Sequence, residues 1–303
     1  MKKRTCLLLS VLCILAVQLN SVCAAAGNPT PEELIAAHLK ALGVVSGSAA
    51  AQIKSIIFTG QADVEFIQGM QGKMNGPVTL VSQGNKMVIS MKFSDINYPG
   101  ERFAYDGKSV NVGTIQPPGV KSPIADFIFR YNKIMKNGLL GGVFSNAWPL
   151  LDIKRGKPSF MEVRRTKVEG KELYELEYRP KDRHGDMKIR MFFDPETYRH
   201  VRTEYKVTTK DDVSTNLPGR NLDPDENLWA ISAQASGEAY YILTEKFGDF
   251  RQVAALTLPH SYEIDYDIAG TAQYGFVGKW KIEVQNVGCN VPNLSPELFN
   301  AQK

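Results

Sequence analysis

Apolar and polar residues alternate with a period of two over most of the chain. Ile56, Phe58, Ala62, Val64 and Phe66 share one parity, and Thr59, Gln61, Asp63 and Glu65 the other. That is the signature of a half-buried strand. Val78 and Leu80 open a second strand, and Gln83-Gly84-Asn85-Lys86 turns into a third that puts Met87, Ile89, Met91 and Phe93 on one face. Phe103 and Tyr105 lead through Asp106-Gly107, a hairpin signal, to Val110 and Val112. Strands resume at Met161. Tyr174, Leu176 and Tyr178, then Met187, Ile189, Met191 and Phe193, then Val201, Tyr205 and Val207 each alternate with charged residues, separated by Glu169-Gly170 and Asp194-Pro195-Glu196-Thr197. Further strands are expected at 240–246, 252–258, 262–268 and 276–284. Short turns between period-two segments predict an antiparallel meander.

Two regions break this period. Thr30 is a plausible N-cap, with Pro31 at the first helical position and Glu32 and Glu33 in the first turn. Leu34, Ile35, His38, Leu39 and Leu42 then recur at helical spacing until Gly43. Residues 122–148 carry Ile124, Phe127, Ile128, Tyr131, Ile134 and Met135 at helical spacing, followed by Gly138, Gly141 and Gly142. This is one or two helices with a flexible connection. Residues 208–237 are polar and rich in Asp, Asn, Pro and Gly, as expected of a long loop or insertion.

The predicted fold class is α+β, mostly antiparallel β. One large curved sheet wraps as a half-open barrel around a few helices, in a single domain over 27–303. An apolar sheet face must be covered, and this chain offers few helices for many strands. The sheet therefore curls around the helices as an incomplete barrel, or closes or folds into a sandwich. In the first case a concave apolar surface is left for a ligand.

The N-terminus changes where this domain is expected to work. Lys2, Lys3 and Arg4 precede a short apolar stretch from Cys6 to Leu19, and small residues follow from Ala24 to Gly27. That order is a secretory signal over 1–26, too short to span a bilayer. The expected location is the periplasm. Cys23 competes as a lipidation site, but Asn20 and Val22 stand where Leu and a small residue are usual. Removing the signal takes three of 36 basic residues and none of 32 acidic ones, leaving 33 against 32, a net of about +1. Nothing in that balance favours nucleic acid. Cys289 is the only cysteine beyond the signal region, so no internal disulfide is expected; the residue reads as a small apolar filler.

With these elements in order, the chain resembles the periplasmic lipoprotein carrier superfamily, LolA-like, with its LolB-like and RseB-like relatives. The resemblance rests on the helix Pro31-Glu32-Glu33-Leu34-Ile35-Ala36-Ala37-His38-Leu39-Lys40-Ala41-Leu42-Gly43 followed at once by a strand. It rests also on the Phe192-Phe193-Asp194-Pro195-Glu196-Thr197 turn between strands, on Leu256-Thr257-Leu258-Pro259-His260, and on the tail Val291 to Phe299. It spans most of residues 30–300 as an order of elements. It implies a half-open barrel with helices as a lid, holding an acyl chain, a lipid or a lipoprotein on the concave face. The 208–237 insertion departs from the pattern. No motif places the carriers' ligand-gating arginine, and none is carried over.

On that basis the candidate ligand-binding residues are Phe58, Val64, Phe66, Ile89, Met91, Phe93, Phe103, Phe127, Ile128 and Met135. The 122–142 segment reads either as a core helix plugging the barrel or as a mobile lid hinged near its glycines. Catalytic signals are missing: there is no G-x-S-x-G, P-loop or G-x-G-x-x-G, and His38, His184, His200 and His260 are scattered without metal-ligand spacing. They read as packed or solvated imidazoles. The acidic clusters at 194–196 and 223–226 read as exposed turns, with calcium ligation or acid–base work as the alternative. The expectation is a non-catalytic monomeric carrier or binding protein without cofactor or metal. The alternatives are an envelope sensing or scaffold module that binds a protein partner and, more weakly, an envelope hydrolase.

Overall fold

The computed structural model describes residues 27–44, 53–68, 72–113, 122–153, 157–181, 187–209, 239–270 and 275–300. The signal expected at 1–26 and nearly all of the polar insertion expected at 208–237 lie outside the described residues.

Thirteen strands form one sheet. They are β1 (Ser55–Gln68), β2 (Gly72–Gln83), β3 (Lys86–Lys92), β4 (Gly100–Tyr105), β5 (Val110–Gly113), β6 (Ser159–Phe160), β7 (Arg164–Val168), β8 (Lys171–Arg179), β9 (Lys188–Phe193), β10 (His200–Thr209), β11 (Ala239–Val253), β12 (Leu256–Gly270) and β13 (Phe276–Cys289). The order is β5-β4-β3-β2-β1-β13-β12-β11-β10-β9-β8-β6, with β7 also on β8. The sheet is open, with β5 and β6 at opposite ends. Nearly every neighbour in space is a neighbour in sequence. The exceptions are the short β6, which pairs with β8, and β1, which pairs with β13 antiparallel and welds the halves on either side of the helical region into one sheet.

Alternation sets which face is apolar. In β1 the even positions Phe58, Ala62, Val64 and Phe66 are buried, while Thr59, Gln61 and Asp63 are exposed. The register shifts between Thr59 and Gly60, where β1 meets β13. A Cβ on Gly60 would stand 2.0 Å from the Glu283 carbonyl oxygen, so only glycine lets the two backbones approach here.

One strand boundary differs from the sequence expectation. Strands are expected at 240–246 and 252–258, but β11 runs on through 247–251 to Val253. The pairing passes from Gly248↔Ser261 to Phe250↔Pro259 with its register unchanged, and Asp249 lies between these pairs at φ 48°. The reversal lies instead at Ala254-Ala255, with Ala254 at φ 51°. Neither alanine is a turn-forming residue, so the hairpin left no compositional trace. Strand structure also resumes at Ser159, slightly before Met161, and β10 extends through Thr209 into the expected loop.

Helix α1 (Pro31–Ala41) begins as its sequence predicts. The Thr30 hydroxyl accepts from the Glu33 amide at 3.2 Å, and the Thr30 amide donates to the Glu33 carboxylate at 2.8 Å. This reciprocal pair satisfies donors that the first turn leaves free. Leu34, Ile35, His38 and Leu42 are buried. On the outer face the C-terminal tail packs Phe299, fully buried, against Val81, Val88 and Ala104.

Candidate functional site

The inner, apolar face is covered by residues 122–151, which contain two short helices. Ser122 caps α2 (Pro123–Arg130) by accepting from the Ala125 amide at 3.1 Å, and Pro123 supplies the preset first position. Ile124, Ala125, Phe127 and Ile128 are buried, whereas Phe129 and Arg130 face outward. One turn of α3 (Lys133–Lys136) buries Ile134 and Met135. Gly138, Gly141 and Gly142 follow, all with positive φ. The segment then lies across the middle of the sheet. Phe144 packs on Phe58 of β1 at 4.8 Å between ring centroids and on Tyr262 of β12 at 6.0 Å. A Cβ on Gly141 would stand 2.4 Å from the Met87 methyl of β3.

All ten residues expected to line a ligand face lie in this one core, none more than 8% exposed. Phe66 packs edge-on to Tyr98 at 4.9 Å, and Phe93 stacks on Tyr98 at 5.5 Å. Phe127 meets Tyr131 at 4.8 Å and Tyr266 at 5.2 Å. The sheet residues and the helical residues of the set therefore meet face to face across the same interface.

That interface also contains buried polar groups absent from the sequence expectation. Glu245 of β11 is fully buried. Its Oε1 accepts from the Gly141 amide at 2.7 Å and from the Tyr262 hydroxyl at 2.6 Å, and its Oε2 accepts from the Tyr205 hydroxyl at 2.8 Å. Burial pushes its pKa up to about 7, opposed by these three donors. Glu101 of β4 sits at the other end of the cover. Tyr98 donates to its Oε1 at 2.7 Å, and the Trp280 indole donates to Tyr98 at 3.0 Å. Burial again raises the pKa to about 7, opposed by the hydroxyls of Ser122 and Tyr98. The Ser122 hydroxyl is close enough to act on the carboxyl but makes no hydrogen bond of ordinary geometry to it, so Oε2 is unpartnered.

A third polar group joins α1 to the cover. His38 and His200, 162 positions apart in sequence, stand 6.2 Å apart between ring centroids, with Trp148 at 5.2 and 5.0 Å from them. His38 Nδ1 donates to the Tyr198 carbonyl at 2.9 Å, which fixes the tautomer of the neutral ring. Burial lowers the His38 pKa to about 4 and, with the neighbouring His38, holds that of His200 well below its ordinary value, so both rings are neutral near pH 7.

These groups had a detectable signal. Glu245 has the parity of Tyr241, Leu243 and Phe247, and Glu101 that of Phe103 and Tyr105. A carboxylate at an inward position of an alternating strand is a departure worth noting. The pairing of His38 with His200 had no local signal, because it depends on how α1 crosses the sheet.

On the outer face, Asp63, Glu65, Lys73, Asn75, Lys279 and Lys281 line a groove of about 360 Å³. Its charged rim does not suit an acyl chain. Among the described residues no group of three or more His, Cys, Asp or Glu is placed to hold a metal, and no helix is long and apolar enough to cross a membrane.

No family model and no curated protein matches this chain. Solved structures of similar arrangement include a LolA superfamily protein from Nitrosomonas europaea, 12% identical, spanning 90% of this chain and 98% of that one with a TM-score of 0.41. An outer membrane lipoprotein-sorting protein domain from Vibrio parahaemolyticus is 14% identical over 81% of this chain and 89% of its own, with a TM-score of 0.40. A DUF1329 family protein from Desulfovibrio piger is 9% identical over 91% and 99%, with a TM-score of 0.36.

Proposed function

We propose that the chain is an exported, non-catalytic carrier or binding protein for an acyl chain, a lipid or a lipoprotein, held between the inner face of the sheet and the 122–151 cover. One observation carries this reading. The sheet does not close on itself, and its apolar face is covered by two short helices and a following stretch that contains glycines at positive φ. On this reading Phe127, Ile128, Ile134, Met135 and Phe144 fill the volume that a ligand takes when the cover moves aside. Burial supplies the affinity. Each methylene removed from water contributes about 0.8 kcal/mol, so a long acyl chain offers roughly 10 kcal/mol before the cost of moving the cover.

The test is acyl-probe binding to wild type and to Phe127→Asp. A carboxylate at this position costs several kcal/mol when the cover is down. The variant is expected to keep its β spectrum and lose fatty-acid or lipopeptide binding. No uptake of any acyl ligand by wild type, or equal binding by the variant, contradicts the proposal. Global unfolding of the variant makes the segment fixed core instead. Export is tested separately by the intact mass of protein recovered from the periplasm, which is expected to lack the first 22 to 27 residues.

A further inference from the structure

The two buried carboxyls of the interface lie at opposite ends of the cover, and Glu245 is hydrogen-bonded to it. Glu101 lies beneath Ser122, the N-cap residue from which α2 starts, and Glu245 takes the Gly141 amide just after α3. They come from well-separated strands, β4 and β11, in the two halves of the sheet. Both are fully buried, and among the described residues each is approached only by uncharged groups. Glu245 is faced by Tyr205 from β10, Tyr262 from β12 and the Gly141 amide from the cover. Glu101 is faced by Tyr98 from the loop before β4 and by Ser122 from the cover, with Trp280 of β13 behind Tyr98. No cation is among the groups that act on either carboxyl.

A buried carboxyl without a cation is tolerated when protonated and strained toward water when ionised. We propose that Glu101 and Glu245 are proton-operated latches that hold the cover on the sheet when protonated and loosen it when ionised. The inference rests on the reading of residues 122–151 as a movable cover, and it adds what controls the movement.

The sign follows from linkage. Each carboxyl titrates near 7 with the cover down and near the ordinary 4.5 once hydrated. Uncovering therefore releases protons, and it becomes easier as pH rises from about 4.5 through 7. His38 and His200, packed on Trp148 of the same segment, act in the opposite sense. They are held neutral with the cover down and favour opening as pH falls below 6.5. Their contribution is common to wild type and to carboxyl variants, so it cancels in a comparison between them.

The experiment is amide hydrogen exchange of the ligand-free protein between pH 6.5 and 8, expressed as protection corrected for the intrinsic rate. It is run on wild type, Glu101→Gln, Glu245→Gln and the double variant. Relative to the double variant, wild-type opening of residues 122–151 is expected to rise about fourfold per carboxyl over this range, roughly fifteenfold for both. Each single variant should lose about half of that response on a logarithmic scale. Tyr262→Phe removes a donor that favours the ionised form of Glu245, so its opening should move to higher pH. This variant retains both carboxyls and keeps the test available if the glutamine variants do not fold. A wild-type response that persists unchanged in the glutamine variants, or a Tyr262→Phe response unmoved or shifted to lower pH, overturns the latch and leaves the cover intact. Exchange of 122–151 only together with β12 and β13, by global unfolding, overturns the movable cover and the latch with it. Because no ligand is present, neither outcome depends on whether acyl binding succeeds.

Discussion

The two faces of the sheet are made by the same strands yet are held in different ways. The inner face excludes water under a foreign segment and keeps ionisable groups inside it: Glu101, Glu245, His38 and His200. The outer face carries its charges in partly hydrated ladders. Glu169 bridges Arg202 at 2.8 Å and Lys246 at 3.0 Å, Lys246 also reaches Asp265 at 3.1 Å, and Arg190 pairs with Glu204. A short tail that buries Phe299 covers only a small apolar patch there. The lesson is that charge on a strand is informative only with its parity. Outward charge is solvated and weakly coupled, whereas inward charge ties stability and cover position to pH.

The comparison breaks most visibly through inner-face packing. Phe144→Ala removes a fully buried ring that touches Phe58, Phe247 and Tyr262. It should cost about 3–5 kcal/mol in denaturant unfolding. Next comes the acid response of His38. Its pKa is depressed from 6.5 to about 4, so its contribution is present above 6.5 and is lost as pH falls through 4. The loss should be roughly 3 kcal/mol. Urea midpoints measured across that range should fall less steeply in His38→Gln than in wild type. On the outer face Phe299→Ala should cost about 2 kcal/mol, because its cluster is small and the tail can readjust. The smallest effect is expected from Lys246→Ala. Glu169 is 63% exposed, so the loss should stay below about 1 kcal/mol and shrink in high salt. An outer-face loss exceeding that of Phe144→Ala would undo the contrast.

Much of the sheet was legible because period two is a property of each strand by itself. The parity of Phe58, Val64 and Phe66, the Thr30 cap and the Asp194 turn all follow from neighbouring residues. In that turn Asp194 Oδ1 accepts from the Glu196 and Thr197 amides at 3.1 and 2.7 Å. The β1–β13 weld, the Ala254-Ala255 reversal and the meeting of His38 with His200 depend on distant chain, and no local pattern encodes them. The candidate ligand residues were legible as an apolar set. The carboxyls among them were not, because Glu101 and Glu245 resemble ordinary strand charges until their parity is compared with that of their neighbours.

The central claim is that an acyl ligand enters where the cover now lies. Spin labels at Phe129, exposed on α2, and at Lys281, exposed on the outer face of β13, would report the distance between cover and sheet in a Cys289→Ser background. The account predicts that a saturating acyl ligand lengthens this distance or broadens its distribution. An unchanged distance with the ligand demonstrably bound would contradict it.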